Sequence, residues 1–303
     1  MTTQSVDIAQ QRKLWRAAIK LPMYSVAVMP ILVGSALAYA EARIFNLYIF
    51  CTFLISAILI LVWENLSNDV FDAETGIDVN KAHSVVNLTR NKALVFAIGN
   101  SCLALGITGI VAIALQQRDP TVVGIVALCC LLGYAYQGPP FRLGYQGLGE
   151  ILCFLSFGPL GVSAAYYSQA QSISVGSQMA GIVIGITTSL ILFCSHFHQA
   201  EDDLAAGKRS PIVRLGTQRS AQLVPLCCGV VLSLILVGVG GDYFPLWVLI
   251  TLVSTVSALR LSRHVLAHHH QPEQIFDAKF YAIGFNFWTG ILLSIGLVLP
   301  VTN

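Results

Sequence analysis

From Ile151 to Ala200 the chain carries no Asp, Glu, Lys or Arg, and none follows Lys279. About 20 apolar residues cross the hydrocarbon core of a bilayer as a helix, so an uncharged run of this length holds two crossings. The rest agrees: 55% of the 303 residues are hydrophobic and 11% charged, where a soluble domain carries roughly a quarter charged. Lipid offers no hydrogen-bond partner to an open strand. The expected class is therefore all-α: a polytopic membrane protein. Nine spans are expected, at about 21–40, 45–64, 93–115, 121–137, 148–167, 178–197, 221–240, 244–261 and 280–301. The first is long enough to span and lacks the short apolar core and small-residue cleavage site of a signal peptide. The reading is a cytoplasmic N-terminal segment, 1–20, and one transmembrane domain, 21–303, with nine helices around a central cavity open to the cytoplasmic face.

The basic residues set the topology. With the N-terminus cytoplasmic, only Arg43 and Arg118 of the 17 Lys and Arg fall on the outer side, a strong positive-inside bias that gives N-in and C-out. The net charge of +2 gives no reason to expect a nucleic-acid partner. The eight cysteines lie inside apolar spans with no Cys-x-x-Cys and are read as small packing residues. His268-His269-His270 is internal and read as an interfacial loop.

Two acidic clusters lie at span ends on the same side: Asn65-Leu-Ser-Asn68-Asp69-Val-Phe-Asp72-Ala-Glu74-Thr-Gly-Ile-Asp78 and Glu201-Asp202-Asp203. Charge near a bilayer is costly, so such clusters point to function. On a helix Asn65, Asp69 and Asp72 fall at i, i+4 and i+7, on one face. Acids at a helix C-terminus also oppose the macrodipole, which argues against a merely solvated helix end. The oxygen donors suit a hard divalent cation. In the second cluster Gln199 and Asp203 are i, i+4. His196 and His198 are two apart, face different ways, and make a poor zinc pair.

Cations surround both clusters: Lys20, Lys81, Arg90, Arg142, Lys208, Arg209 and Arg214. Carboxylates, a metal and ringed cations are the components of a diphosphate site, and an apolar cavity below would hold an isoprenoid tail. A weak repeat supports two corresponding stations. Lys81-Ala-His-Ser84-Val-Val-Asn-Leu-Thr-Arg90 follows the first cluster, and Lys208-Arg-Ser210-Pro-Ile-Val-Arg214 follows the second. Tyr134, Tyr136 and Tyr145 suit either shielding of a carbocation or interfacial anchoring. Glu150, opening the fifth span, suits either a base or a first-turn acid favoured by the helix dipole.

The Asn-x-x-Asn-Asp-x-x-Asp motif, with a second acidic helix end in a nine-span chain, resembles the UbiA-type intramembrane aromatic prenyltransferases. Gly138-Pro-Pro-x-Arg142-Leu-x-Tyr145-x-Gly-Leu-Gly-Glu150 and Gly207-Lys-Arg-Ser-Pro-x-Val-Arg214-Leu-Gly resemble the 1,4-dihydroxy-2-naphthoate branch, and His196-Phe-His-Gln-Ala-Glu-Asp-Asp-Leu-Ala-Ala-Gly-Lys its phytyl-transferring members. The resemblance runs from about Lys20 to the C-terminus. It implies an Mg²⁺-dependent transfer of a prenyl group, phytyl by this branch, from its diphosphate to 1,4-dihydroxy-2-naphthoate with decarboxylation, in phylloquinone or menaquinone synthesis. It places Asn65, Asp69, Asp72, Asp78, Gln199, Asp202 and Asp203 on the metal. Lys20, Asn65, Lys81, Tyr136, Arg142, Lys208 and Arg214 fall to the substrates, and Asp69, Asp72, Asp203 and Glu150 to the chemistry. Where the family's second motif reads Asp-x-x-x-Asp, this chain has Gln199 at the first position, an oxygen donor without charge. The other readings are the same architecture with homogentisate, 4-hydroxybenzoate or a chlorophyllide as acceptor, and a cation-coupled transporter. The transporter fits less well, because its carboxylates belong at the bilayer midplane in broken helices. A plasma or thylakoid membrane is the expected home.

Overall fold

The computed structural model describes residues 2–75 and 84–300, with side chains from residue 10 onward. Asp78 and Lys81 lie outside the described residues, among which there is no strand. A helix, Thr2–Ile19, and a 3-10 turn, Leu21–Tyr24, lead into α1 (Ser25–Ala42). There follow α2 (Leu47–Thr75), α3 (Lys92–Gln117), α4 (Thr121–Gln137), α5 (Gly149–Ala170) and α6 (Val175–Ser195). The chain closes with α7 (Thr217–Gly240), α8 (Leu246–His268) and α9 (Ala278–Val298). Eight of these are long and apolar enough to cross a membrane, α1 when counted from Gln10 and α9 from Pro272. The other, α4, is apolar but has 17 residues. The chain is an integral, multi-pass membrane protein.

Large apolar side chains point outward, among them Ile55, Leu105 and Leu226. Lipid is as apolar as leucine, so the helices associate through close packing and internal hydrogen bonds. Asn286 of α9 donates to Thr187 and Thr188 of α6 at 2.9 and 3.1 Å, and Gln178 of α6 to Ser163 of α5 at 2.6 Å. α1 and α5 each contribute to two apolar cores, one shared with α2, α3 and α4, the other with α6 to α9. The cavities described below open along that seam.

Two local breaks shape the site. Within α5 a π-helical turn, Ser156–Leu160, contains Gly158 at φ −94°, ψ −105°, followed by Pro159, which cannot donate to the helix ladder. The turn leaves Ser156 and Phe157 on the cavity wall. The second break corrects a sequence expectation. The sixth span does not carry the second acidic cluster: α6 ends at Ser195, and Ala200–Ala205 is a separate short helix. Glu201, Asp202 and Asp203 then sit in a first turn, where the helix dipole favours acids instead of opposing them.

At the end remote from the acidic clusters, polar side chains stitch the interhelical loops together. Asn46 and Gln169 exchange two hydrogen bonds, 2.7 and 3.2 Å. Gln117 donates to the Ser168 carbonyl at 2.5 Å, and Tyr167 to Asp119 at 2.5 Å. Glu41 accepts from Tyr166 at 2.7 Å and from Ser174, the N-cap of α6, at 3.1 Å. The α1–α2, α3–α4 and α5–α6 connections are all held by this network.

Candidate active site

The last turns of α2 carry the first station. Asn65 donates to the Leu61 carbonyl at 3.1 Å and, with Asn68, lines a cavity. Asp69 is 1% exposed. Its Oδ1 lies 3.5 Å from Lys20 Nζ, and its Oδ2 accepts the Val85 backbone N–H at 2.8 Å. Lys20 reaches it from a left-handed backbone conformation, φ 52°, at the joint before the 3-10 turn. Asp72 accepts from the Gln137 amide and, at 3.3 Å, from the Tyr145 hydroxyl, which also lies 2.8 Å from Thr75 Oγ1. Burial, with the charge of Asp72 adding, pushes the Tyr145 phenol up to about 12, so it remains a donor throughout the neutral range. The stripe of Asn65, Asp69 and Asp72 thus fans out, to a cavity, to Lys20 and to α4 with its following loop.

The second station is built on the turn after α6. Gln199 precedes the short helix, Asp203 is 2% exposed, and Glu201 and Asp202 are exposed. Asp203 Oδ1 lies 3.2 Å from Lys208 Nζ, while its Oδ2 is buried with no hydrogen-bond donor among the described residues. His196 is buried, with Nδ1 2.9 Å from Glu150 Oε1; His198 packs edge-on to Phe276. The two histidines do point apart.

The loop at 138–148 joins the stations. It folds back on α4 through Leu143 N–H to Ala135 and Gly144 N–H to Tyr136. The Tyr145 hydroxyl reaches Asp72, while its carbonyl accepts the Arg209 N–H at 2.8 Å and the Gln146 carbonyl accepts Arg214. Arg142 Nε is buried with no acceptor among the described residues. The weak repeat has a structural counterpart, because Ser84 and Ser210 precede two five-residue helices, Val85–Thr89 and Pro211–Leu215.

Two cavities, one larger than the other, lie beneath. The larger is lined by Asn65, Asn68, Tyr136, Thr188 and Ser195 among apolar neighbours. The smaller is almost wholly apolar, with Phe53, Ile60, Ile110 and Val126 on its wall. Glu150 lines neither. It stands in the first turn of α5, tied to His196, with Ser189 donating to its carbonyl at 2.8 Å. Sequence reasoning passed over Glu64, which lines both cavities. It closes the apolar run of the second span, and a carboxylate at that depth is itself a functional signal. Gln137, the donor to Asp72, left no such signal.

Among the described residues no three His, Cys, Asp or Glu side chains gather into a metal site. The donor chemistry nevertheless fits Mg²⁺: Asn65, Asp69, Asp72, Gln199 and Asp203 offer only oxygen toward a cation, and the orphaned, buried Oδ2 of Asp203 is an acceptor awaiting one.

Solved structures share the fold at low identity. A structure of a digeranylgeranylglyceryl phosphate synthase aligns with a TM-score of 0.64 at 14% identity, covering 95% of this chain and 99% of that one. A UbiA homolog from Archaeoglobus fulgidus bound to DMAPP and Mg²⁺ aligns with a TM-score of 0.54 at 14% identity, covering 90% and 98%. Two curated relatives are nearer in sequence. The 2-carboxy-1,4-naphthoquinone phytyltransferase of Synechocystis sp. is 52% identical over 285 residues, 94% of this chain and 93% of that protein. The chloroplastic enzyme of the same name from Arabidopsis thaliana is 42% identical over 98% of this chain and 79% of that protein. With the UbiA prenyltransferase family model matching residues 27–291, the chain belongs to the UbiA prenyltransferase family.

Proposed function

We propose that this protein transfers a phytyl group from phytyl diphosphate to the carboxylated ring carbon of 1,4-dihydroxy-2-naphthoate, releasing CO₂ and diphosphate, in phylloquinone synthesis. The observation that carries the reading is the 52% identity, over 94% of the chain, with a phytyltransferase named for a 2-carboxy-naphthoquinone. That acceptor name differs from 1,4-dihydroxy-2-naphthoate by two electrons, and the reduced ring is the electron-rich one that can attack an allylic cation.

The charged rim serves the leaving group. Lys20, Lys81, Arg142, Lys208 and Arg214 neutralise charge as the diphosphate departs with the C–O electron pair, an electrostatic effect largest where water is excluded. Mg²⁺, held by Asn65, Asp69, Asp72, Asp78, Gln199, Asp202 and Asp203, would add positive charge to the same leaving group. The apolar cavities take the phytyl tail and keep water from the cation, while the Tyr136 ring on the larger cavity faces it. Ring π electrons form the new C–C bond, and loss of CO₂ returns an electron pair to the ring. Glu150 positions: its pair with His196 ties the start of α5 to the end of α6. The reading includes nine crossings, N-in, with the cavities open to the cytoplasmic side of a plasma or thylakoid membrane.

The test is turnover of phytyl diphosphate and 1,4-dihydroxy-2-naphthoate by membranes, with Mg²⁺ or EDTA, followed by mass spectrometry. A Mg²⁺-dependent, decarboxylated phytyl-naphthalenediol is expected, with Asp69→Asn and Asp72→Asn inactive but folded. Product only with homogentisate, 4-hydroxybenzoate or a chlorophyllide would reassign the acceptor, and full activity in both variants would remove the rim from the mechanism.

A further inference from the structure

Glu64 sits on the wall where the two cavities meet, with Leu61, Gly133, Ser156 and Phe157 also common to both. Among the described residues no other Asp, Glu, Lys, Arg or His lines either cavity. Among the described residues nothing donates a hydrogen bond to its carboxyl group. Gly133 faces it across the wall, where an added Cβ would lie 3.4 Å from Oε1. A carboxyl group held on a largely apolar cavity wall without a donor is costly, so it is expected to meet one in the loaded site.

On the proposed reading, the isoprenoid chain carries no donor and the diphosphate belongs to the cations at the rim. The ring hydroxyls of the acceptor are donors. Glu64 lies five residues before Asp69, roughly 8 Å along the helix axis, deep enough to hold a ring beneath a diphosphate anchored at the rim. We propose that Glu64 orients the acceptor: a carboxyl oxygen accepts a hydrogen bond from one ring hydroxyl of the dihydroxynaphthoate, fixing which carbon faces the allylic donor. A carboxyl C=O accepts in either protonation state, so the role rests on position. It extends the proposed function to a specificity-determining residue.

The experiment uses purified full-length protein in proteoliposomes. KM is measured for each substrate in the wild type, Glu64→Leu and Glu64→Gln, and inhibition constants for 1-hydroxy-2-naphthoate and 4-hydroxy-2-naphthoate. Losing a hydrogen bond to a carboxyl group predicts a roughly 10- to 100-fold higher acceptor KM in Glu64→Leu, with the KM for phytyl diphosphate and the Mg²⁺ requirement unmoved. Glu64→Gln, which keeps the carbonyl oxygen, should return acceptor KM to within a few-fold. The wild type should bind one monohydroxy analogue at least tenfold more weakly than the other, and Glu64→Leu should bind both alike. An unchanged acceptor KM in Glu64→Leu overturns the proposal, as does a shift confined to the donor or to Mg²⁺. If Glu64→Leu does not fold, equal binding of the two analogues by the wild type overturns it. A wild type that turns over the pair while Glu64→Leu is unaffected sinks this inference alone; a wild type without turnover sinks the functional reading beneath it.

Discussion

At the residue scale the site is a set of buried carboxylates matched to cations. Asp203 is the sharpest case, because among the described residues Lys208 is its cation and Oδ2 has no donor. Removing one member of such a pair strands the other in low dielectric, whereas neutralising both is often nearly free. Lys208→Met is therefore expected to lower unfolding free energy in detergent by about 3 kcal/mol. Asp203→Asn/Lys208→Met should recover most of that loss yet remain inactive, which thermal unfolding and phytyl transfer measured together would check. A double variant as unstable as the single one would mean that Lys208 acts through packing. Of the candidate site, Asp69, Asp72 and Asp203 were legible in the sequence because carboxylates are rare beside apolar spans, and Asn65 because it falls on the same helix face as Asp69 and Asp72. Glu64 was passed over because it reads as the last residue of a span instead of the first of a motif. Gln137 and Tyr145, which engage Asp72 across 65 and 73 positions, are brought there by the packing of α4 against α2, and no local pattern records it.

At the scale of elements, close approach decides the architecture. Gly158 in the α5 turn faces Gly181 and Gly185 of α6, and a Cβ there would lie 2.5 Å from the Gly185 Cα. The obstacle is backbone, which cannot swing aside as a side chain does. Gly158→Ala is expected to destabilise by about 2 kcal/mol through forced separation. Gly229→Ala in α7, where among the described residues an added Cβ would meet nothing from outside its own helix backbone within 4 Å, should be neutral or mildly stabilising, since alanine favours helix by up to about 1 kcal/mol. Equal melting temperatures for the two variants would refute the contact. Helix positions were largely legible: every expected span overlaps a helix, because twenty apolar residues leave few alternatives. The end of α6 was not. Phe197 continues the apolar run past the last helical turn, and only the Glu201–Asp203 acids, better suited to starting a helix than to ending one, hint at the break.

For the whole molecule, the distribution of 17 basic residues argues for an odd number of crossings with α4 among them. A C-terminal alkaline phosphatase fusion is then expected to be active and a C-terminal green fluorescent protein fusion dark, with the reverse result marking α4 as non-spanning. The placing of both cavities along the seam of two cores, by contrast, depends on α1 and α5 turning different faces to different neighbours, and near-uniform apolar composition hides which face does which. The stitched loops at the far end carry a consequence of another kind. A membrane that stores an ion gradient tolerates no aqueous path through it, and a pocket that admits a diphosphate must also admit water and ions. Asn46, Gln169, Tyr167, Asp119 and Glu41 bond the loops to one another at the end opposite the acidic clusters, and on the proposed reading the pocket is expected to be closed at that end. On that reading the protein is expected to work as a well and not as a wire, loading and discharging a polyanion at one surface while the voltage across the bilayer stands.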